Sequence, residues 1–242
     1  MSKMRADQLL LDQGLAEDLK EARALLLSGR VLAGSQRLDK AGQRVDRSLQ
    51  LRLKDESPYV SRGGHKLEGA LRDLGVDVSG ALCLDLGAST GGFTDCLLQH
   101  GARKVYALDV GKGQLHWKLR QDPRVEVREE VNVRYLDPSQ IDEPADWIVA
   151  DLSFISLRLV LPALKSFAPV RLLVLVKPQF EARRQEVESG GRIADEPLRQ
   201  QVLQRLEDFC TEQGFIVQGR ADAPLAGRKS GNQETFFLLQ LA

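Results

Sequence analysis

A glycine-rich segment that follows an apolar run has the composition of a loop that binds a nucleoside cofactor. Residues 81–86 are apolar except for Asp85, and a helical pattern begins where the segment ends. Three glycines lie in the segment, namely Gly87, Gly91 and Gly92. Glycines in a strand-to-helix turn permit tight turning and let the backbone approach a ligand closely. Asp109, about 20 residues further along at the end of the next apolar run, is placed to bind ribose hydroxyls.

The spacing of these glycines separates two classes of cofactor. A nicotinamide dinucleotide site has the pattern Gly-x-Gly-x-x-Gly, whereas the glycines after Asp85 follow the pattern Gly-x-x-x-Gly-Gly. The missing glycine triplet weakens the dinucleotide interpretation. Residues 85–93 instead resemble the loop of S-adenosylmethionine-dependent methyltransferases, which wraps the methionine part of that cofactor. The resemblance implies that the cofactor contacts a set of loop and strand-end residues: Asp85, Gly87, Ala88, Ser89, Gly91, Gly92, Phe93, Asp109, Asn132, Val133, Asp151 and Phe154.

Charged side chains end two further apolar runs. Asp151 and Lys177 each follow a run of strand length. Since the carboxyl ends of parallel strands meet at one edge of a sheet, we expect both side chains at the ligand-binding edge. A charge at a strand end often serves only solubility. Lys66, which we place just ahead of the helix that precedes the first strand, and Glu234, which we place at the start of the last strand, favour a site instead.

Strand patterns alternate with helical patterns over residues 61–242. The predicted strands cover residues 81–86, 104–108, 125–128, 147–151, 171–176, 215–217 and 234–239, and a long helix covers residues 197–214. Alternation of this kind predicts an α/β fold: a mostly parallel, Rossmann-like sheet with helices on both faces. The last two strands form a hairpin-like pair, so we expect the last strand to be antiparallel.

Composition limits the classes of protein that the chain can form. Of its 242 residues, 43% are hydrophobic and 28% are charged, which is ordinary for a folded, soluble chain. The longest apolar run falls far short of the roughly 20 residues of a membrane span, and no export signal is visible. Three cysteines without ligand spacing indicate neither a disulfide framework nor a zinc site. We expect a cytoplasmic protein with no metal and no membrane partner.

A neutral total charge hides an uneven distribution along the chain. Residues 1–66 hold 13 Lys and Arg against 9 Asp and Glu, a net charge of +4, and the remainder carries −4. Such asymmetry is a hint of a nucleic-acid-binding appendage. In this first region helical patterns cover residues 6–13 and 19–27, strand patterns cover 31–32 and 49–53, and residues 34–45 are rich in turn formers. Two short helices packed on a small sheet are therefore predicted.

The first region resembles the small RNA-binding domain named after small-subunit ribosomal protein four. The likeness rests on three segments, residues 5–7, 22–32 and 40–42. It implies that three arginines line a face that touches RNA phosphates: Arg5, Arg23 and Arg30. Arginine suits this role because its guanidinium group offers several donors to phosphate oxygens. The alternative is a capping module whose arginines are only solvated.

Five motifs in order resemble those of the TlyA family: residues 61–66, 85–94, 150–156, 176–181 and 231–234. That family joins the same RNA-binding domain to an FtsJ-like methyltransferase domain and methylates ribose 2′-hydroxyls of ribosomal RNA. The resemblance implies an RNA-binding domain at residues 1–56, a linker at 57–60 and a methyltransferase domain at 61–242. It also places the catalytic tetrad of the family on Lys66, Asp151, Lys177 and Glu234.

These residue types suit methylation of a ribose. A 2′-hydroxyl is a poor nucleophile at neutral pH, whereas a sulfonium methyl group is already activated. The enzyme must orient the hydroxyl toward the methyl group and help its proton leave. Our hypothesis is that Lys177 contacts the 2′-oxygen and either stabilises its developing charge or accepts its proton. Asp151 and Glu234 would hold Lys177 and Lys66 in place.

The resemblance therefore implies an S-adenosylmethionine-dependent rRNA (cytidine-2′-O)-methyltransferase. Its partner would be ribosomal RNA within a ribosomal subunit or its precursor, and the short chain favours the large subunit as the single target. One alternative is a non-catalytic RNA-binding factor for ribosome assembly, against which the intact tetrad argues. Another is a membrane-lytic haemolysin, a historical label of some family members. The absence of an apolar span or a strongly amphipathic basic helix argues against it.

Overall fold

The structure of the chain is a computed structural model that describes residues 3–54, 57–167, 170–193, 195–227 and 230–241. The chain divides into two compact units, Met1–Pro58 and Tyr59–Ala242. Tyr59 is buried in the core of the second unit. The segment that we predict as a linker, residues 57–60, therefore straddles the boundary between the units.

The first unit packs two short helices with short strands. Its elements, in chain order, are β1 (Lys3–Arg5), α1 (Ala6–Asp12), α2 (Leu19–Leu27), β2 (Val31–Ala33), β3 (Gln36–Leu38), β4 (Arg44–Asp46) and β5 (Leu51–Leu53). β3, β2 and β5 form an antiparallel sheet in that order, and β1 pairs antiparallel with β4. Residues 34–45, which the sequence predicts as turns, thus contain β3 and most of β4. Strands of three residues are too short to show a period in sequence.

The second unit is built on one large sheet. Its elements, in chain order, are α3 (Arg62–Asp73), β6 (Leu82–Leu86), α4 (Gly92–Gln99), β7 (Lys104–Leu108), α5 (Trp117–Arg120), β8 (Val125–Arg128), β9 (Trp147–Ala150), α6 (Leu161–Leu164), β10 (Arg171–Val176), α7 (Pro178–Glu181), α8 (Glu196–Glu212), β11 (Phe215–Asp222) and β12 (Thr235–Leu241). The strand order is β11–β12–β10–β9–β6–β7–β8. The predicted α/β fold is confirmed.

The direction of the strands decides what meets at each edge of this sheet. Six strands share one direction, and β12 is antiparallel to both of its neighbours, as predicted for the last strand. α8 packs in the core on one face of the sheet, and α3 and α4 pack in the core on the other. Thr235, the first residue of β12, pairs with Val176, the last residue of β10. The start of β12 therefore lies at the same edge as the carboxyl ends of the other strands.

Two further features concern membranes and metals. Across the described residues, no helix combines the length and the apolar character needed to cross a membrane. The same part of the chain contains no group of three or more His, Cys, Asp or Glu side chains that could hold a metal ion. The three cysteines are buried as free thiols: Cys83, Cys96 and Cys210.

Candidate active site

A cavity of about 300 Å³ opens at the carboxyl edge of the large sheet. Its walls come from the first turns of α3, from the glycine-rich loop before α4, and from the segments after β9 and β10. The lining residues are Ser61, Arg62, Gly63, Lys66, Gly87, Ala88, Ser89, Thr90, Gly92, Phe93, Asp151, Ser153 and Lys177. The cavity thus brings the predicted cofactor loop and three members of the predicted tetrad to one place.

Lys66 reaches this cavity from inside α3, so its predicted position ahead of the helix is wrong. The side chain of Ser61 accepts a hydrogen bond from the backbone N–H of Gly63 at 3.3 Å and caps the helix. Consecutive glycines disfavour a helix, which is why the sequence predicts a later start. Gly64 is nevertheless required in the first turn, because a Cβ atom there would lie 2.2 Å from the Tyr59 ring.

Lys66 and Glu234 form a buried ion pair beside the cavity. The Nζ atom of Lys66 donates a hydrogen bond to Oε2 of Glu234 at 2.5 Å. Only 11% and 4% of the two side chains are exposed. Glu234 lies one residue before β12, and the reversed direction of that strand brings it to this edge. Removing either partner would leave an uncompensated buried charge, so the two side chains depend on each other.

Lys177 and Asp151 form a second ion pair at the ends of neighbouring strands. Lys177 follows β10 and Asp151 follows β9, and their Nζ and Oδ1 atoms lie 2.5 Å apart. Lys177 also donates a hydrogen bond to Oγ of Ser153 at 2.8 Å. Ser153 is not among the predicted site residues, although it stands two residues after Asp151 in the same motif. Two lysine–carboxylate pairs therefore border one cavity, where they can stabilise negative charge that develops on an oxygen atom.

The glycine-rich loop is held in a shape that larger residues would not accept. Gly87 has a φ of +84°, and a Cβ atom there would lie 2.8 Å from the carbonyl oxygen of Asp151. Gly91, the N-cap of α4, has a φ of +95°, and its Cβ would lie 2.2 Å from Leu119. Both positions need the conformational freedom of glycine. The two glycines therefore let the loop pack closely against Asp151 and Leu119 while Ala88, Ser89 and Thr90 line the cavity.

Two carboxylates support this loop from behind. Asp109 accepts hydrogen bonds from the backbone N–H groups of Ser89 at 2.8 Å and Gly111 at 2.7 Å. Asp85 is fully buried, and its Oδ2 atom accepts hydrogen bonds from the backbone N–H and the hydroxyl of Thr94, at 2.9 and 2.6 Å. Its Oδ1 atom has no hydrogen-bond partner among the described residues. Burial, against the two bonds from Thr94, raises the pKa of Asp85 to about 7.

The raised pKa of Asp85 predicts a specific pH dependence of stability. The folded state binds the proton more tightly than the unfolded state, so the contribution of Asp85 is full below about pH 4 and is lost as the pH rises toward 7. We expect the free energy of unfolding to fall by about 1 kcal/mol per pH unit over this window, relative to the Asp85→Asn variant. Denaturant titrations of both proteins from pH 4 to 8 measure the difference. Parallel pH profiles would contradict the prediction.

Besides Asp85, Gly91 and Asp109, three further predicted cofactor residues do not line the cavity: Asn132, Val133 and Phe154. The side chain of Asn132 accepts a hydrogen bond from the backbone N–H of Arg134 at 3.1 Å, and Val133 is buried in the core. Phe154 has a φ of +64°, is 84% exposed, and its ring centroid lies 5.5 Å from that of Phe180. A positive φ in a bulky residue costs free energy and often marks a functional position.

In the first unit, two of the three predicted RNA-binding arginines share one buried carboxylate. Arg5 donates two hydrogen bonds to Asp7, at 2.9 and 2.7 Å, and Arg23 donates one at 3.3 Å. The Arg5 guanidinium, with help from Arg23, lowers the pKa of the Asp7 carboxyl to about 2. About half of each arginine side chain remains exposed. Arg30 lies between α2 and β2, where its backbone N–H donates to the carbonyl oxygen of Leu25.

The large sheet carries a glycine-rich loop after β6 and two lysine–carboxylate pairs at its carboxyl edge. In open α/β sheets, ligands bind at this edge. The family model described as FtsJ-like methyltransferase matches residues 59–241. The chain belongs to this family and is a methyltransferase.

Known proteins resemble the chain over nearly its whole length. The 16S/23S rRNA (cytidine-2′-O)-methyltransferase TlyA of Mycobacterium tuberculosis is 43% identical over 98% of this chain and 90% of its own length. Hemolysin A of Brachyspira hyodysenteriae is 40% identical over 96% of this chain and 97% of its own length. A solved structure from Streptococcus thermophilus, which also carries a hemolysin name, is 41% identical and covers all of this chain and 90% of that chain, with a TM-score of 0.77. The family predicted from the motifs is confirmed.

Proposed function

We propose that the protein transfers a methyl group from S-adenosylmethionine to the ribose 2′-hydroxyl of a cytidine in ribosomal RNA. The observation that carries this proposal is the pair of lysine–carboxylate contacts, Lys66–Glu234 and Lys177–Asp151, beside the cavity of the glycine-rich loop. The reaction named for the mycobacterial relative, which is 43% identical, supports the same chemistry here. Intact ion pairs argue against a non-catalytic assembly factor, which has no need of them.

The residues of the loop fit the proposed cofactor. S-adenosylmethionine supplies an activated methyl group on a sulfonium centre. Gly87 and Gly91 have no Cβ atom, so the loop can pack closely against its neighbours. A Cβ at Gly87 would lie 2.8 Å from the carbonyl oxygen of Asp151. Ser89 and Phe93 line the same cavity. Asp109, which follows β7 and holds Ser89 through its backbone N–H, would accept hydrogen bonds from ribose hydroxyls with its remaining lone pairs.

In the proposed mechanism Lys177 acts on the oxygen of the nucleophile. Its ammonium group lines the cavity, and the 2.5 Å contact with Asp151 and the bond to Ser153 fix its position. From there Lys177 would orient the 2′-hydroxyl and stabilise the negative charge on its oxygen while the proton passes to solvent water and the methyl group moves from the sulfonium centre to that oxygen. Lys66, held by Glu234, adds a second positive charge at the cavity.

The surface around the cavity suits an unstacked RNA nucleotide. Trp117, Tyr135 and Phe154 are 60%, 72% and 84% exposed, and the latter two follow β8 and β9 at the carboxyl edge of the sheet. The Arg134 guanidinium lies 5.5 Å from the centroid of the Tyr135 ring. Proteins bind splayed bases on exposed aromatic rings and on guanidinium planes, and an enzyme that modifies a nucleotide takes it out of the stack. In the first unit, Arg5 and Arg23 would contact phosphates.

Cofactor binding is tested by enlarging one glycine of the loop. We expect Gly87→Ala to weaken S-adenosylmethionine binding at least tenfold, because the added methyl group forces the loop away from the Asp151 carbonyl oxygen. Gly113→Ala is the matched control: Gly113 also has a positive φ, +71°, but no atom of the described residues lies within 4 Å of the point that its Cβ would occupy. Calorimetric titration of both variants measures the affinities. If Gly113→Ala weakens S-adenosylmethionine binding as much as Gly87→Ala does, then backbone strain alone accounts for the loss, and the contact at Asp151 does not matter.

The site of modification is tested in cells. We expect ribosomes from a strain that lacks the protein to lose 2′-O-methylation at a cytidine, and the wild-type chain to restore it. The proposed substrate is ribosomal RNA within a ribosomal subunit or its precursor, in the cytoplasm. A Glu234→Ala chain, with its amount in the cell measured alongside, should not restore the methyl group. Full restoration by Glu234→Ala would remove the ion pair from the mechanism, and an unchanged methylation map in the deletion strain would exclude the proposed substrate.

A further inference from the structure

Asn232 is a buried side chain that the proposed mechanism leaves without a role. Only 6% of the residue is exposed. Its Oδ1 atom accepts a hydrogen bond from the backbone N–H of Ile193 at 2.9 Å. Its Nδ2 atom donates to the carbonyl oxygen of Gly191 at 2.8 Å and to Oε1 of Gln179 at 2.9 Å. A backbone N–H can only donate and a carbonyl oxygen can only accept, so these contacts fix which way the amide points.

The bond between Asn232 and Gln179 joins the two halves of the catalytic site. Gln179 lies in α7, two residues after Lys177, which pairs with Asp151. Asn232 lies two residues before Glu234, which pairs with Lys66. The Asn232–Gln179 hydrogen bond therefore connects the segment that follows Lys177 with the segment that precedes Glu234.

Lys177 and Glu234 adjoin the paired ends of β10 and β12, whereas the segments on their other sides are held by no long regular element among the described residues. α7 has four residues, and residues 223–227 and 230–234, which precede β12, belong to no helix or strand. The backbone N–H of Gly227 donates to the carbonyl oxygen of Asn232 at 2.9 Å, which ties the loop to itself and not to the rest of the site. The hydrogen bond from Asn232 Nδ2 to Gln179 instead ties the loop to the segment that follows Lys177.

We propose that Asn232 is a positioning residue that, through Gln179, reinforces the separation of the two lysine–carboxylate pairs that the pairing of β10 with β12 sets. The inference rests on the proposed function, since the separation matters only if both lysines act on one nucleophile. A displacement of about 1 Å at a catalytic group can lower a rate by about a hundredfold, and a smaller displacement lowers it less. Loss of the Asn232–Gln179 bond thus slows the chemical step and leaves the binding of cofactor and RNA intact.

The other two bonds of Asn232 have a purely structural effect, and a test has to separate them. Asn232→Ala leaves the N–H of Ile193 and the carbonyl oxygen of Gly191 without partners, which destabilises the fold. Gln179→Ala removes the shared bond and keeps these two. Gln179→Glu keeps an acceptor oxygen for Asn232 Nδ2 and therefore keeps the shared bond as well.

The experiment measures kcat, the KM for ribosomal RNA and the affinity for S-adenosylmethionine in the full-length chain. We expect Gln179→Ala to lower kcat about tenfold with KM and cofactor affinity within twofold, and Gln179→Glu to recover most of the lost rate. Gln218→Ala is the control, because Gln218 bonds to Gln240 on the sheet, outside the site, and its loss should leave kcat unchanged. Denaturant midpoints of all variants report on folding.

Each outcome has one meaning. A lower kcat in Gln179→Ala that Gln179→Glu restores supports the positioning role. Equal kcat values for wild type and Gln179→Ala, or an equal loss in Gln179→Ala and Gln179→Glu, overturn it and leave the proposed function standing. A wild-type chain that binds S-adenosylmethionine yet methylates no ribosomal RNA overturns the proposed function, and the positioning role with it.

Discussion

Lys177→Met is expected to lower the single-turnover rate of methyl transfer by about a thousandfold, with cofactor affinity nearly unchanged. Methionine keeps the length and apolar stem of the side chain and removes the ammonium group that lines the cavity. The 2′-oxygen then loses both its orienting donor and the charge that stabilises it. Rapid quenching of enzyme loaded with labelled S-adenosylmethionine and mixed with RNA measures this step apart from product release.

A matched lysine elsewhere in the same domain provides the control for this variant. Lys165 precedes β10 and so lies at the opposite edge of the sheet from Lys177, which follows that strand. Its Nζ atom donates a hydrogen bond to Gln213 at 3.0 Å. Lys165→Met should therefore alter stability slightly and leave the rate within about twofold. A Lys177→Met rate close to that of Lys165→Met would remove Lys177 from the mechanism.

The variant Lys177→Arg distinguishes between two roles for Lys177: a base that accepts the proton and a fixed positive charge. Arginine stays protonated at all accessible pH values, so it can stabilise charge but cannot accept the proton. If Lys177 acts as a fixed charge, Lys177→Arg should retain a measurable rate that depends little on pH between 7 and 9. If Lys177 accepts the proton, Lys177→Arg should be as slow as Lys177→Met.

Glu234→Gln is expected to lower the free energy of unfolding by about 3–5 kcal/mol, because it leaves Lys66 buried without its counter-charge. The Lys66→Met, Glu234→Gln double variant removes both charges. It should recover a large part of the lost stability while remaining inactive. Denaturant titrations of the wild type, both single variants and the double variant form a complete cycle for this pair.

An exposed ion pair in the same domain shows what burial contributes to this effect. Lys112 and Glu130 lie 3.1 Å apart, but 72% and 67% of their side chains are exposed. Solvent screens such a pair, so Glu130→Gln should change stability by less than about 1 kcal/mol. Equal losses in Glu234→Gln and Glu130→Gln would mean that the Lys66–Glu234 contact has no special dependence on its buried setting.

The sequence predicts those parts of the fold and site that depend on local pattern. Apolar runs that alternate with helical patterns are enough to predict the large sheet, because a strand that is buried on both faces is a continuous apolar segment in sequence. Residues that directly follow such runs, Asp109, Asp151 and Lys177, are consequently placed at the correct edge. The reversed last strand is predicted from the hairpin-like pair of the last two strands, and its direction brings Glu234 to that edge as well.

Other features depend on contacts between distant residues and leave no local signal. The early start of α3 is fixed by the Ser61 cap and by the Tyr59 ring beside Gly64. Asn232 meets Gln179 across 53 positions of sequence, and Lys66 meets Glu234 across 168. A motif identifies such residues as a set. Which of them pair with each other is decided only when the strands take their order in the sheet.

The reversed direction of β12 also has a practical consequence at its far end. Gln240 pairs with Arg171, the first residue of β10, so the chain leaves the sheet at the edge opposite the cavity. A capture handle attached after this strand would hold the methyltransferase domain on a sensor surface with its cavity directed toward solution. Immobilisation at that end therefore suits surface-based measurements of small-molecule and RNA association, whereas a label introduced beside Glu234 would obstruct them.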